Sequence, residues 1–298
     1  MSEMPDTSLS TTTAIILADP DREEAQQACS QIERILLDLK VTFTKQSPED
    51  SALAWTGAKP DVAIVIGGDG TMISQTRRLV DHEIPMIGIN CGRLGFLAPF
   101  SPETFETHAP SVLSGNRKLE HRMMLQIEVQ RSDGSETITR RAMNDGLITA
   151  GSPFRMIQMS TAIDGQQGPP LSGDGLVVAT PTGSTGHSAS TGGPIVDPRV
   201  EAIIVTPIAA QSLAFRPFAL EGGSTLEVML TQVNEGTSLV LDGQRRVQLH
   251  EHDRVRFARY SQPMGFVNCP GHPFWRILHD KLGWAAPPRG RDDTMSTP

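Results

Sequence analysis

Cysteine is scarce in this 298-residue sequence: Cys29, Cys91 and Cys269 are odd in number and far apart. No CxxC pair occurs, which argues against a zinc site or a disulfide framework. Aromatic residues make up only 5 % of the chain. No run of 18 apolar residues exists, so no membrane-spanning helix is expected. Residues 1–12 are polar and lack the apolar core of a secretory signal, which leads to the expectation of a cytoplasmic protein. Positive charge is also in short supply: Lys+Arg 26 against Asp+Glu 34 leaves a net charge of −8. Without a dense basic run, neither nucleic acid nor an anionic membrane surface is expected as a partner. What remains is a globular composition, with 38 % hydrophobic residues and a mean hydropathy of −0.21. The length suits two small domains or one large one.

The two halves are patterned differently. Residues 1–12 and 285–298 read as disordered tails. Between them, Ala14–Ala18, Val62–Ile66 and Ile84–Ile89 are continuous apolar runs separated by helical spacing. One predicted helix has Asp19 as its N-cap and Pro20 at its first position; another starts at Ser101 and Pro102. Strand–helix alternation with fully apolar strands predicts a doubly wound parallel sheet over residues 13–120. From 121 to 271 the period shifts to two, with hairpins expected at Asp133-Gly134 and Asp242-Gly243. This part reads as a β-rich domain. Phe274–Leu282 reads as one late helix, with Phe274, Ile277, Leu278 and Leu282 on its apolar face.

Three segments could carry chemistry. Gly67-Gly68-Asp69-Gly70-Thr71 lies between a buried strand and a helix. Glycines let backbone N–H groups approach a phosphate, and a helix N-terminus favours negative charge. The loop is neither a Walker A motif nor a GxGxxG fingerprint. A tight strand-to-helix turn with an Asp cap would read the same way, but a carboxylate beside a phosphate site has an electrostatic cost. That cost is explained if Asp69 accepts a proton or helps hold a metal. Thr180-Pro-Thr-Gly-Ser-Thr-Gly-His187 is rich in hydroxyls and suits a sugar or nucleotide; composition alone favours a surface loop. Asn144-Asp145-Gly146, taken alone, reads as a turn.

Taken together these segments resemble the NAD kinase family. GGDGT at 67–71, Arg93-Leu94-Gly95-Phe96-Leu97, Asn144-Asp145, DGLVVATPTGST at 174–185, GGPIV at 192–196, Ser212–Pro217 and Asp242-Gly243-Gln244 fall in the family's order. The resemblance spans about residues 13–283. It implies an α/β domain, an NAD-binding β-rich domain, and a last helix, around 272–283, that returns to the first domain. The implied reaction is ATP + NAD → ADP + NADP with a divalent cation, usually Mg²⁺. Asp69 matches the family's proton acceptor, and Gly68, Gly70 and Thr71 its phosphate loop. Phe96 falls where the family packs an aromatic near the dinucleotide. Asn144 and Asp145 match the pair that contacts the adenosine half, and Asp174 the acid near the nicotinamide. Thr182, Thr185, Gly186, His187, Ser190 and Gln244 complete the expected nucleotide-binding set; no protein ligand is assigned to the metal. A homodimer or homotetramer is implied, because in the family the site is completed across a subunit interface.

The sequence departs from the family pattern at four places. Asp145 stands where Glu is usual, Gly186 and His187 replace Ala and Tyr, and Ser172 stands where a basic residue is common. Two rival readings remain from the sequence: a kinase of a lipid or sphingoid hydroxyl, and a silent dinucleotide sensor. The polar character of residues 180–193 opposes the first, and the presence of Asp69 opposes the second.

Overall fold

The computed structural model describes residues 12–50, 52–92, 95–114, 117–271 and 273–284. The expected tails lie outside the described residues, apart from Thr12, as do Arg93 and Leu94. In chain order the first part contains β1 (Thr13–Ala18), α1 (Glu23–Asp38), β2 (Thr42–Gln46), β3 (Val62–Ile66), α2 (Asp69–Leu79), β4 (Met86–Ile89), α3 (Pro102–Val112) and β5 (Leu119–Arg122). Then come β6 (Leu125–Gln130), β7 (Ile138–Ala142), β8 (Asp145–Thr149), β9 (Ile157–Ile163), β10 (Gln166–Gln167), β11 (Leu171–Gly173) and β12 (Gly175–Ala179). After a short helix, α4 (His187–Ser190), follow β13 (Ala202–Ile208), β14 (Phe218–Glu221), β15 (Leu226–Gln232), β16 (Ser238–Leu241), β17 (Arg245–Gln248) and β18 (Arg254–Arg259). The described chain ends with β19 (Met264–Val267) and α5 (Phe274–Leu282).

The first sheet runs β2-β1-β3-β4-β19-β5 and is parallel except at its β5 edge. Its apolar strands are buried on both faces, as strand periodicity requires. Ala14, Ile16, Val62 and Ile64 face α1 and α3. Ile15, Leu17, Ala63 and Val65 face α2. The doubly wound arrangement is therefore present. The fifth strand comes from Met264–Val267, so the sheets divide earlier than the expected boundary at residue 271.

The remaining strands form two antiparallel sheets, β10-β9-β15-β18-β6-β7 with β11 beside β9, and β14-β13-β12-β8-β16-β17. Alternating residues such as Ile127, Val129, Val255 and Phe257 meet Ile148, Val178, Val205 and Leu239 in one core, a sandwich of two half-buried sheets. Both predicted hairpins form, β6–β7 and β16–β17.

Three local expectations are corrected. The first helix starts at Glu23 rather than Pro20, because the Asp19 carboxylate accepts the Asp21 N–H at 3.0 Å in a turn of its own. Asp145-Gly146 is not a turn: both lie in β8, opposite Ala179 and Val178. A Cβ at Gly146 would approach Ile127 and Phe257 to 2.7 and 2.8 Å, so the glycine serves packing. Finally, Leu282 is 51 % exposed, and the inward face of α5 is Phe274, Ile277 and Leu278. Ser101 does cap α3, accepting the Thr104 N–H at 3.1 Å.

Candidate active site

The GGDGT loop leaves β3 at the carboxyl edge of the parallel sheet, where open α/β folds bind ligands. Gly67 and Gly68 make the turn into α2. A Cβ at Gly67 would come within 2.7 Å of Thr71 Oγ1. Asp69 is the first residue of α2, where the helix dipole favours a carboxylate. Its two oxygens are held separately: Oδ1 accepts the Leu97 N–H and Oδ2 the Phe96 N–H, each at 3.0 Å. Gly95 makes this approach possible, since a Cβ there would lie 2.1 Å from Asp69 Oδ1. Lys281 of α5 adds a third donor, with Nζ 3.2 Å from Oδ2. The same ammonium stands 4.8 Å from the Phe96 ring centroid.

A cavity of about 510 Å³ opens beside the loop, bordered by Gly67, Gly70, Thr71, Arg22, Arg78 and Gln244. A second cavity of about 400 Å³ lies under Phe96 and Leu97, between Arg122 and α5.

The loop is tied to the second domain by a run of polar contacts. The Gly70 carbonyl accepts from Gln244 Nε2 at 2.8 Å. Gln244 Oε1 and Asp242 Oδ2 both accept from the Arg77 guanidinium at 2.5 Å. The buried Asp242 carboxylate collects the N–H groups of Met143, Asn144 and Asp145 at 3.2, 2.7 and 3.2 Å. Burial pushes the Asp242 carboxyl above the usual range, while the three amides and Arg77 oppose that rise. One network thus sets the Asn144-Asp145 backbone relative to the helix that carries Asp69.

The 180–190 segment packs over that backbone. It is not a surface loop: Thr180, Thr182 and Ser184 are buried. Thr180 donates to the Met143 carbonyl at 2.7 Å. A Cβ on Gly183 would lie 2.1 Å from the Asn144 carbonyl oxygen. Gly186 is seated against Asn144 Nδ2 and Asp145 Oδ2. His187 Nδ1 lies 3.7 Å from Asp145 Oδ2. The neighbouring Asp145 carboxylate raises the imidazole pKa above 6.5, with burial acting the other way. Thr185 and Ser190 turn their hydroxyls back onto the Thr182 and His187 carbonyls. Asn144 Oδ1, Asp145 Oδ1 and Thr182 Oγ1 are buried without a hydrogen-bond partner. Such atoms fit a ligand that brings hydroxyl or amine donors.

The structure therefore draws together Asp69, Gly68, Gly70, Thr71, Gln244, Asn144, Asp145, Thr182, Gly186 and His187, with Phe96 on the α5 side. It does not bring Asp174 to them. Asp174 is exposed at the opposite end of β12, six residues from Thr180, which is roughly 20 Å of extended chain. Sequence reasoning missed Arg77, Lys281 and the anchoring role of Asp242. Asp242-Gly243 reads as a hairpin turn, and nothing in a single sequence pairs Lys281 with a residue 212 positions away. Among the described residues no group of three or more His, Cys, Asp or Glu side chains could enclose a metal. No described helix is long and apolar enough to cross a membrane.

Comparison with known proteins bears on the family and the fold. The ATP-NAD kinase N-terminal domain matches residues 44–117, and the ATP-NAD kinase C-terminal domain residues 143–269. An NAD kinase of Rhodopirellula baltica is 35 % identical over 280 residues, 91 % of this chain and 86 % of its own. An NAD kinase of Pseudomonas putida is 37 % identical over 235 residues, covering 78 % and 79 %. The crystal structure of an Archaeoglobus fulgidus NAD kinase in complex with ATP superimposes with a TM-score of 0.69 at 25 % identity, covering 91 % of this chain and 97 % of that one. Yeast NADH kinase complexed with NADH shares the fold, with a TM-score of 0.82 at 23 % identity and coverage of 94 % and 90 %. With both domains matched and relatives above 30 % identity along most of its length, the chain belongs to the ATP-NAD kinase family.

Proposed function

We propose that Asp69 is the general base of an ATP-dependent NAD kinase reaction, which moves the γ-phosphoryl of ATP to the 2′-hydroxyl of the adenosine ribose of NAD. The protein is a phosphotransferase with an alcohol acceptor. The observation that carries the assignment of Asp69 is its carboxylate, oriented by two backbone amides and joined through Gly70, Gln244, Arg77 and Asp242 to the Asn144-Asp145 backbone. Attack on phosphorus needs a base within hydrogen-bond reach of the hydroxyl and a fixed line of approach. In this reading the ribose proton passes to Asp69, its oxygen bonds to the γ-phosphorus, and ADP leaves. The unpartnered oxygens of Asn144 and Asp145 receive the adenosine half of NAD, and His187 borders it. The triphosphate enters beside Gly67, Gly70 and Thr71, where Arg22 and Arg78 supply positive charge.

A divalent cation, Mg²⁺ in this reading, neutralises phosphate oxygens when bound. The residues fit a cation carried mainly on the nucleotide, because Mg²⁺ takes one or two carboxylates plus substrate phosphates rather than a protein cage. Asp69 at the loop and Asp19, Glu49 and Asp50 on the wall of the adjoining cavity are the carboxylates near it. The reading also includes a homodimer or homotetramer whose site is completed by a neighbouring subunit, and a cytoplasmic location. The separation of Asp174 from the rest of the site supports the shared site.

The test is NADP formation by the purified protein with ATP, Mg²⁺ and NAD, beside Asp69→Asn. The parent is expected to be active and the variant to lose on the order of 10²-fold, the scale of a removed general base. Equal rates in parent and variant would take the base role from Asp69. No NADP from the parent with NAD or NADH, and with ATP or polyphosphate, would leave a binding protein.

A further inference from the structure

Helix α5 carries an anomaly. Its inward stripe is Phe274, Ile277 and Leu278, the i, i+3, i+4 pattern of a packed helix. The next position of that stripe, i+7, is Lys281, where the pattern calls for an apolar residue. Ile277 and Leu278 are buried, and the Phe274 ring lies 6.1 Å from that of Phe96. The packing that seats α5 on the 95–97 loop therefore also delivers an ammonium to Asp69, 3.2 Å from Oδ2. The helix stops two residues later, at Gly283 in a left-handed conformation (φ +61°). Lys281 is thus in the last turn, where the dipole favours a cation.

The other contacts of Asp69 show what the lysine adds. The Phe96 and Leu97 amides orient the carboxylate but carry no net charge. Arg122 bonds Glu120 at 2.9 Å and reaches Asp69 only through space, and Arg77 is committed to Asp242 and Gln244. Among the described residues, Lys281 is the cation that bonds Asp69. The proposed reaction brings a polyanionic donor to the same carboxylate. Like charges brought together there repel, and a fixed cation beside them offsets part of that cost.

We propose that Lys281 is a positioning residue for phosphoryl transfer: its ammonium holds the Asp69 carboxylate toward the acceptor hydroxyl and offsets its charge where the donor phosphates approach. This rests on the assignment of Asp69 as the base. It gives α5 a function beyond packing, because the last described helix completes a site begun at residue 67.

The experiment compares the parent with Lys281→Met, Lys281→Arg, Asp69→Asn and the Asp69→Asn/Lys281→Met double variant in steady-state NADP formation. Methionine keeps the apolar stem against Phe96, and melting temperatures are recorded alongside. Lys281→Met is expected to lower kcat roughly tenfold or more, with KM for ATP and NAD changing less than about threefold. Lys281→Arg is expected to restore most of kcat. In the Asp69→Asn background the methionine substitution should cost less than about twofold, since two groups acting as a unit are not additive. An unchanged kcat in Lys281→Met overturns the proposal. So does a raised KM for ATP at unchanged kcat, which would mark a simple phosphate contact. A raised kcat overturns it by making α5 a brake, and a full loss in the Asp69→Asn background shows that Lys281 does not act through Asp69. If Asp69→Asn alone keeps the parent's kcat, the base assignment fails independently of any effect at Lys281.

Discussion

His187 shows how one side chain imports a new dependence into an otherwise familiar site. It stands 3.7 Å from Asp145, half exposed on one side and facing a buried carboxylate on the other. The pair raises the imidazole pKa above its ordinary 6.5. A base whose folded pKa lies above its unfolded value contributes stability fully below the unfolded value. That contribution fades as pH rises through the folded one. The half-exposed imidazole limits the effect to about 0.5 kcal/mol or less. His187→Asn is therefore expected to melt below the parent at acidic pH, with the gap closing as pH rises past neutrality. Melting scans between about pH 5.5 and 8.5 check it, because only His titrates in that range without perturbation. A gap constant across the range would mean the imidazole is a packing group. The motif segments were legible only together: each alone also reads as a turn or a surface loop, and their common order along the chain is what carries the resemblance. Lys281 and Arg77 were not legible, because a lone basic residue on a helix has no signature until the fold puts a carboxylate beside it.

At the scale of elements, local signals read well and long-range ones poorly. Continuous apolar strands gave β1, β3 and β4, and Ser101-Pro102 gave the start of α3, since their causes lie within a few residues. The strand β19 could not be assigned to the first sheet from its sequence, because its partner β4 lies far back in the chain and only topology brings them together. Asp145-Gly146 misled for a related reason. The dipeptide favours turns, but the sandwich core accepts only a glycine between Ile127 and Phe257. The joint between the domains is where elements meet most consequentially. Arg77 on α2 bonds Asp242 in the β16–β17 hairpin, and their side chains are 10 % and 0 % exposed. Removing one partner of a buried pair leaves an uncompensated charge, a loss of about 3 kcal/mol or more. Arg77→Met is expected to show that loss in denaturant unfolding near neutral pH, together with a fall in kcat from the misplaced Asn144-Asp145 backbone. The carboxyl of Asp242 already has a raised pKa, and losing Arg77 raises it further. The stability deficit should therefore shrink as pH falls and Asp242 takes up its proton. A deficit independent of pH would assign the Arg77 effect to packing of its stem instead.

At the scale of the whole molecule, the position of Asp174 poses the largest question. It is exposed at the end of β12 opposite to Asn144 and Asp145. One NAD molecule bound to a single chain would have to span the length of that strand to touch both. A closed oligomer removes the difficulty, because two-fold symmetry can place the Asp174 end of one subunit beside the Asn144 end of another. Mixing variants tests this directly. Let one chain carry Asp69→Asn and the other Asp174→Asn, once each is shown to lose most of its activity alone. If every site takes Asp69 from one subunit and Asp174 from its neighbour, each mixed dimer contains one doubly damaged site and one intact site. Co-expression in equal amounts then makes about half of the dimers mixed and restores about a quarter of parental activity. If Asp174 serves its own chain, each site in a mixed dimer carries one lesion and the mixture stays as inactive as its components. Sedimentation of the same samples supplies the control, since a monomeric protein would show no recovery and no dimer boundary. Recovery near one quarter, together with a dimer or tetramer in sedimentation, would make the assembled molecule rather than the single chain the unit that binds NAD.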